Sequence, residues 1–364
     1  MIVDDEIVVK AGARKVRGWT SARIERGIED MASTFELELS GYFAATGDDQ
    51  LVCGDAVQVY AGADLVVTGY VEAVSDQVDA ESEGTSITGR SKTCDAVDCS
   101  AALGTWAGLK LRDLFTRIVG EHGLSLVDEA GVADAIIRSH KTEPGETIHD
   151  ALDRLGRELG YLLTDDAAGR VVLTRAGKAG RAVTRIVQGA GVIASSGGWN
   201  VAQRFSAYEA QGQSIGADSI DATATGDAED PGVTRARKLI VVPERGVDKT
   251  GARRRARWEA VTRAGKSFSA SYTLRGWRQT ETGPLWAPNL LVNVVDGRRG
   301  LFDAELLVTS VALVANADGR KAEVTVAPAA GFEVLTTHQV SGCDLGRWFT
   351  QDSQQGTAKV AFTP

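Results

Sequence analysis

Four histidines (His122, His140, His149, His338) and four cysteines (Cys53, Cys94, Cys99, Cys343) are the residues with which this chain could hold a metal or carry a nucleophile. Their spacing supports neither use. No HExxH and no Cys/His ligand pattern connects them, and no CxxC pair occurs. Gly189-Ala190-Gly191-Val192-Ile193-Ala194 matches GxGxxA with Glu209 twenty residues on, the outline of a dinucleotide loop. Ser195-Ser196-Gly197-Gly198 follows at once and would break the helix that must hold the pyrophosphate, so turn chemistry is the expected role. Gly265-Lys266-Ser267 resembles the end of a P-loop, but Ala260 stands where its first glycine belongs. The acids Asp165 and Asp166 fall at an expected hairpin tip, where solvation accounts for them. With no GxSxG elbow, no catalytic residue, cofactor or metal ligand is assigned.

One charged cluster has another use. Arg253, Arg254, Arg255 and Arg257 crowd next to Trp258 on an expected helix, and Arg235, Arg237 and Lys238 precede them. An ordinary solvated helix face is the plainer reading; contact with an acidic partner or with nucleic acid is the other. Arg253, Arg254, Arg257 and Trp258 are therefore the candidate assembly residues, with Tyr42 and Trp277 as weaker ones.

The elements that position these residues follow from periodicity. Phe35, Leu37 and Leu39 alternate with Glu36 and Glu38, the pattern of a strand with one wet face. Leu111, Leu114, Phe115, Ile118 and Val119 form one helical stripe ended by Gly120. Ile148, Ala151, Leu152, Leu155 and Leu159 form a second, with Thr147 as its N-cap and Gly160 as its stop. Tyr161 to Thr164 and Val171 to Thr174 read as a hairpin. Arg253 to Ala264 reads as a helix. Strand character at 183–187 and 204–210 is expected to rejoin the first sheet.

Composition bounds the function. The chain has 364 residues, 43% of them hydrophobic, enough for two or three domains. Its net charge is −9, which argues against a general nucleic-acid binder. The acidic start and the lack of a long apolar run predict synthesis in a cytoplasm and no membrane insertion.

Two distant stretches repeat one order of strand cues. Leu39-Ser40-Gly41-Tyr42, Val57-Gln58-Val59, Leu65 to Gly69 and Ser86-Ile87-Thr88 answer to Leu274-Arg275-Gly276-Trp277, Val292-Asn293-Val294, Leu306 to Ser310 and Val324-Thr325-Val326. The offset is 235 at Leu39/Leu274 and at Val57/Val292, then 241 at Thr68/Thr309, which implies a hairpin tip six residues longer in the second copy. A copied unit implies equivalent jobs for the copies. The expected fold is α+β, mainly β, with two related small β-barrels and a helix-plus-hairpin α/β insert. Residues 1–92 with 178–211 form the first barrel, 93–177 the insert, 212–235 a mobile loop or linker, 236–330 the second barrel, and 331–364 a tail ordered against a partner.

Longer runs resemble a known family. Gly89-Arg90-Ser91-Lys92-Thr93 with Asp95 and Val97 to Ala101, and Gly18-Trp19 with Arg23 to Arg26, Ile28-Glu29 and Phe35, are similar to the tail protein P, or baseplate hub, of Mu-like bacteriophages. So are the stretches 145–177 and 256–296. The similarity runs in order through about residues 15–330.

The resemblance implies a structural hub, without enzymatic activity or cofactor. It implies a homotrimer whose two barrels per subunit make a pseudo-six-fold ring, joining the tail tube to a central spike and lining a channel for DNA. The implied partners are the chain itself, the spike protein, the tube protein and other baseplate proteins, with no sequence-specific nucleic acid. The implied location is the virion tail baseplate after assembly in the host bacterial cytoplasm. A tail-tip cell-wall hydrolase and a DNA-contacting adaptor that uses the arginine helix are the competing readings.

Overall fold

The computed structural model describes residues 6–40, 51–78, 83–213, 223–243 and 248–335. Tyr42, His338, Cys343, residues 214–222 of the expected loop and 336–364 of the expected tail lie outside them.

Most strands join one thirteen-stranded sheet. Its path runs Val192–Trp199, Phe268–Arg275, Gly319–Ala327, Leu301–Asn316, Ser21–Gly27, Thr34–Ser40, Glu83–Ser91, Asp64–Val78, Ala56–Ala61, Ile7–Ala11 and Arg14–Val16. Leu291–Asp296 lies beside Leu301–Asn316, and Ile186–Val187 beside Leu291–Asp296. Alternation along Phe268–Arg275 and Glu83–Ser91 turns every second side chain inward. One core results, running from Val9, Phe35 and Val59 to Tyr272, Trp277 and Val326.

The expected barrels are not closed: no closed barrel is found among the described residues. Ser21–Gly27, flanked on one edge by Thr34–Ser40, gives its other edge to Leu301–Asn316, so the first unit continues into the second instead of curling onto itself.

The repeat is real in topology and differs in register. Leu37 pairs with Ile87 as Tyr272 pairs with Val324, and Val57 pairs with Gly69 as Val292 pairs with Leu306. Both copies carry a bulge at the same place, between Val71 and Ala73 in one and between Val308 and Ser310 in the other. Leu65 to Gly69 therefore answers to Phe302 to Leu306, and Ser86 to Thr88 answers to Glu323 to Thr325. Gly62 and Ala63 join the first hairpin and Gly297 to Gly300 the second, so the tip is two residues longer, not six. At Leu65 to Gly69 the slip is four residues, and a hydrophobic pattern with period two matches itself at every even shift; at Ser86 to Thr88 it is one residue.

The stretches expected to rejoin the first sheet do not. Ile186–Val187 pairs with Leu291–Asp296 in the second unit. Ala207–Gln213 is the centre of a separate three-stranded sheet, antiparallel to Thr223–Glu229 and parallel to Lys238–Val241. Part of the expected linker is thus strand. Small residues account for the difference: Ala210, Ala224 and Gly226 leave room for a helix that weighs little in hydrophobic patterning.

The insert forms as its periodicity predicts. Helix Leu111–Val119 ends at Gly120; helix Ile148–Leu159 is capped by Thr147, whose hydroxyl accepts from the Asp150 nitrogen at 3.0 Å, and ends at left-handed Gly160. Leu162–Asp165 and Val171–Thr174 form the hairpin, and Leu126–Asp128 adds a parallel strand. Leu114, Ile118, Leu152 and Leu173 fill this second core.

Candidate assembly interface

The arginine cluster lies on helix Lys249–Lys266, whose N-cap Asp248 accepts from the Gly251 nitrogen. Ala252, Ala256 and Ala260 recur every fourth residue and face the small sheet, where Tyr208, Ala210 and Ala224 meet them. The approach is close. A Cβ at Gly226 would fall 2.1 Å from the Arg253 nitrogen, so only glycine fits there.

That packing sets which arginines are free. Glu259, buried, takes Arg255 on one oxygen and Arg263 on the other, each at 2.8 Å. Arg255 also lies 4.7 Å over the Trp258 ring. Trp258 is half-buried and donates its indole N–H to the Glu333 carbonyl at 2.7 Å. Arg253 and Arg257 are exposed, Arg254 is half-exposed, and none of the three has an ion pair among the described residues. The helix therefore presents three guanidinium groups without an ion pair among the described residues, with Trp258 anchored at their side. Trp277 is core: it is buried and donates to the Val314 carbonyl at 2.8 Å.

The other singled-out residues have structural work. Gly189 and Gly191 both adopt positive φ and lead into a strand, not a helix. Gly265 packs against Gly331, where a Cβ would come within 2.3 Å of the backbone nitrogen. Asp165 departs from the solvated-tip expectation; it is buried and accepts from the Ser33 nitrogen at 3.0 Å and hydroxyl at 2.7 Å. Asp166 does cap the tip, accepting from the nitrogens of Ala168 and Arg170. Burial and then Asp95 push the Cys94 thiol up to about 11, which leaves it protonated at neutral pH. Burial and then Arg154 lower the His140 pKa. Among the described residues, no three His, Cys, Asp or Glu side chains gather closely enough to hold a metal ion.

Sequence reasoning missed the sheet edges. Val192–Trp199 ends the strand path, and Ile193 and Trp199 are exposed along it. A row of unpaired backbone groups is a property of the fold, and no residue type announces it.

The fold is thus two duplicated units sharing one sheet, with an insert pinned to them. The family models agree on the kind. Residues 6–91 match the N-terminal domain of the Mu phage baseplate assembly protein GpP-like, 93–175 the second domain of the baseplate hub protein gp44-like, and 248–335 the fourth domain of the Mu phage baseplate assembly protein GpP. The baseplate hub protein gp44 of Escherichia phage Mu is 32% identical over 347 residues, 91% of this chain and 90% of that one. The 43 kDa tail protein of prophage MuSo2 from Shewanella oneidensis superposes with TM-score 0.81 at 33% identity, covering 91% of this chain and 100% of that one. The tail protein from Neisseria meningitidis shares the fold, with TM-score 0.75 at 21% identity, covering 90% of this chain and 98% of that one. The chain belongs to the Mu-like bacteriophage baseplate hub family and is a structural protein of the phage tail.

Proposed function

We propose that three copies of this chain form the hub ring that joins the tail tube to the central spike and lines the channel through which DNA leaves. The observation that carries this reading is the strand-for-strand duplication. Two pseudo-equivalent units per chain, taken three times, give six positions, so a three-fold object can meet a six-fold one. Net acidity suits a lumen that DNA must pass without sticking. The uncommitted Arg253, Arg254 and Arg257 with Trp258 serve as a contact for an acidic face of another baseplate component. Assembly takes place in the host bacterial cytoplasm, before the tail is complete.

Solution mass by multi-angle light scattering tests the ring, alone and after co-expression with the spike protein. A trimer in either preparation is the expected result. A monomer at all concentrations, persisting in the presence of the spike, would remove the proposal.

A further inference from the structure

Among the described residues one antiparallel ladder, Ser310 to Ala315 against Gly27 to Ala22, joins the strands of the two units, beside the core they share and the Arg278–Asp64 ion pair. The repeat says what this ladder would look like elsewhere. Val311 pairs with Val324 as Val74 pairs with Ile87, so Val311 to Ala315 corresponds to Val74 to Val78. Ala22 pairs with Leu37 as Ser195 pairs with Tyr272, so Ala22 to Arg26 corresponds to Ser195 to Trp199. One half of the seam thus has a twin at the far end of the first unit, and the other half has a twin at the far end of the second.

Both twins lack a partner on the matching edge among the described residues. Asp64–Val78 uses one edge for Glu83–Ser91 along its distal half, while on the other edge Ala56–Ala61 reaches only as far as Tyr70. Val192–Trp199 pairs with Phe268–Arg275 alone. Burial tracks the pairing: Val311, Ala312 and Leu313 are buried in the seam, whereas Ser75, Asp76, Gln77 and Val78 are exposed, Val78 at 68%. Ala22 and Ile24 are buried, whereas Gly197, Gly198 and Trp199 are exposed, Trp199 at 46%.

We propose that Val74 to Val78 of one copy pairs antiparallel with Ser195 to Trp199 of a second copy, in the register Val74 to Trp199, Ser75 to Gly198, Asp76 to Gly197, Gln77 to Ser196 and Val78 to Ser195. The proposal rests on the ring reading and states which atoms make the ring. Each copy carries one edge of each kind, so the contact is head-to-tail and propagates until it closes. Three copies then alternate three internal seams with three intermolecular ones along one continuous sheet. The free edge carries Asp76 and Gln77 where the internal seam carries Leu313 and Val314, which keeps an edge exposed before assembly from pairing indiscriminately. Gly197 and Gly198 opposite them let the two backbones approach.

The test is a cysteine pair at one register position, S75C with G198C, in a background with Cys53 and Cys343 replaced by serine. Ser75 is exposed, and a Cβ at Gly198 meets open space, so neither change burdens the fold. Directly opposed residues bring their Cβ atoms within about 5 Å, close enough for a disulfide, whereas a two-residue slip puts them about 7–8 Å apart. Mild oxidation should give a ladder ending at a covalent trimer on non-reducing gels. S75C with S196C, two residues out of register, should give several-fold less. Light scattering of the untouched protein runs in parallel. A trimer by mass in which S75C/G198C does not link, or links no better than S75C/S196C, would overturn the edge pairing and leave the ring standing. A protein that stays monomeric even with the spike would remove both.

Discussion

Ser33 and Asp165 meet in a buried contact in which the serine donates to the same carboxylate from its backbone nitrogen and from its hydroxyl. They are the tie between the first unit and the insert, reinforced by the Thr164 hydroxyl donating to the Gly27 carbonyl at 2.9 Å and the Thr68 hydroxyl donating to the Ala167 carbonyl at 2.8 Å. Asp165→Ala leaves two buried donors unsatisfied and should cost about 2–3 kcal/mol in urea unfolding. Increased proteolysis around residues 165–170 at unchanged secondary structure should accompany it. Stability equal to the parent's would mean that the insert is held by its apolar contacts alone.

A second buried carboxylate makes the second unit sensitive to acid. Burial alone would raise the Asp296 pKa, but hydrogen bonds from Arg299 and Tyr272 outweigh it and hold the carboxyl below its usual range. A folded-state pKa below the unfolded value stabilises the fold above the unfolded pKa of about 4, and this contribution is lost as pH falls through the folded value. Asp296→Asn should therefore cost about 3 kcal/mol at pH 7 and flatten the decline below about pH 4. Melting temperatures of the two proteins across the acid range decide the point; parallel curves would count against it.

Trp277 is the largest fully buried side chain among the described residues, and its indole bonds the seam strand Leu301–Asn316. Trp277→Ala should cost about 3–5 kcal/mol by denaturant titration. A loss under about 1 kcal/mol would fit a surface residue instead.

Arg253 and Arg257 make the opposite case. Replacing both with glutamate should change stability by less than about 0.5 kcal/mol each, because neither has an ion pair among the described residues. Capture by other baseplate components should fall, and more steeply at low salt. Unchanged capture would assign the patch to solvent.

Local rules read parts of this fold correctly. Thr147, Gly120 and Gly160 bound the insert helices where their capping chemistry requires. The duplication showed through Val57/Val292 because paired strands keep their inward residues. What failed was long-range. Nothing in Arg204 to Ala210 says which sheet it joins; that is decided by Ala252, Ala256 and Ala260, which look like plain helix formers and turn out to be its floor. Asp165 looked like a loop acid because its partner, Ser33, is 132 residues away. The arginine helix is legible as a cluster of charge, but the split between Arg255 and Arg263, bound to Glu259, and Arg253 and Arg257, without an ion pair among the described residues, follows from which face the alanines bury.

The strand Leu301–Asn316 belongs to both units, its first half to the hairpin with Leu291–Asp296 and its second half to the seam with Ser21–Gly27. A load applied along that strand reaches the seam in shear, so the hydrogen bonds of the ladder bear it together instead of peeling one by one. A push delivered to one unit therefore reaches the other through the strand they share.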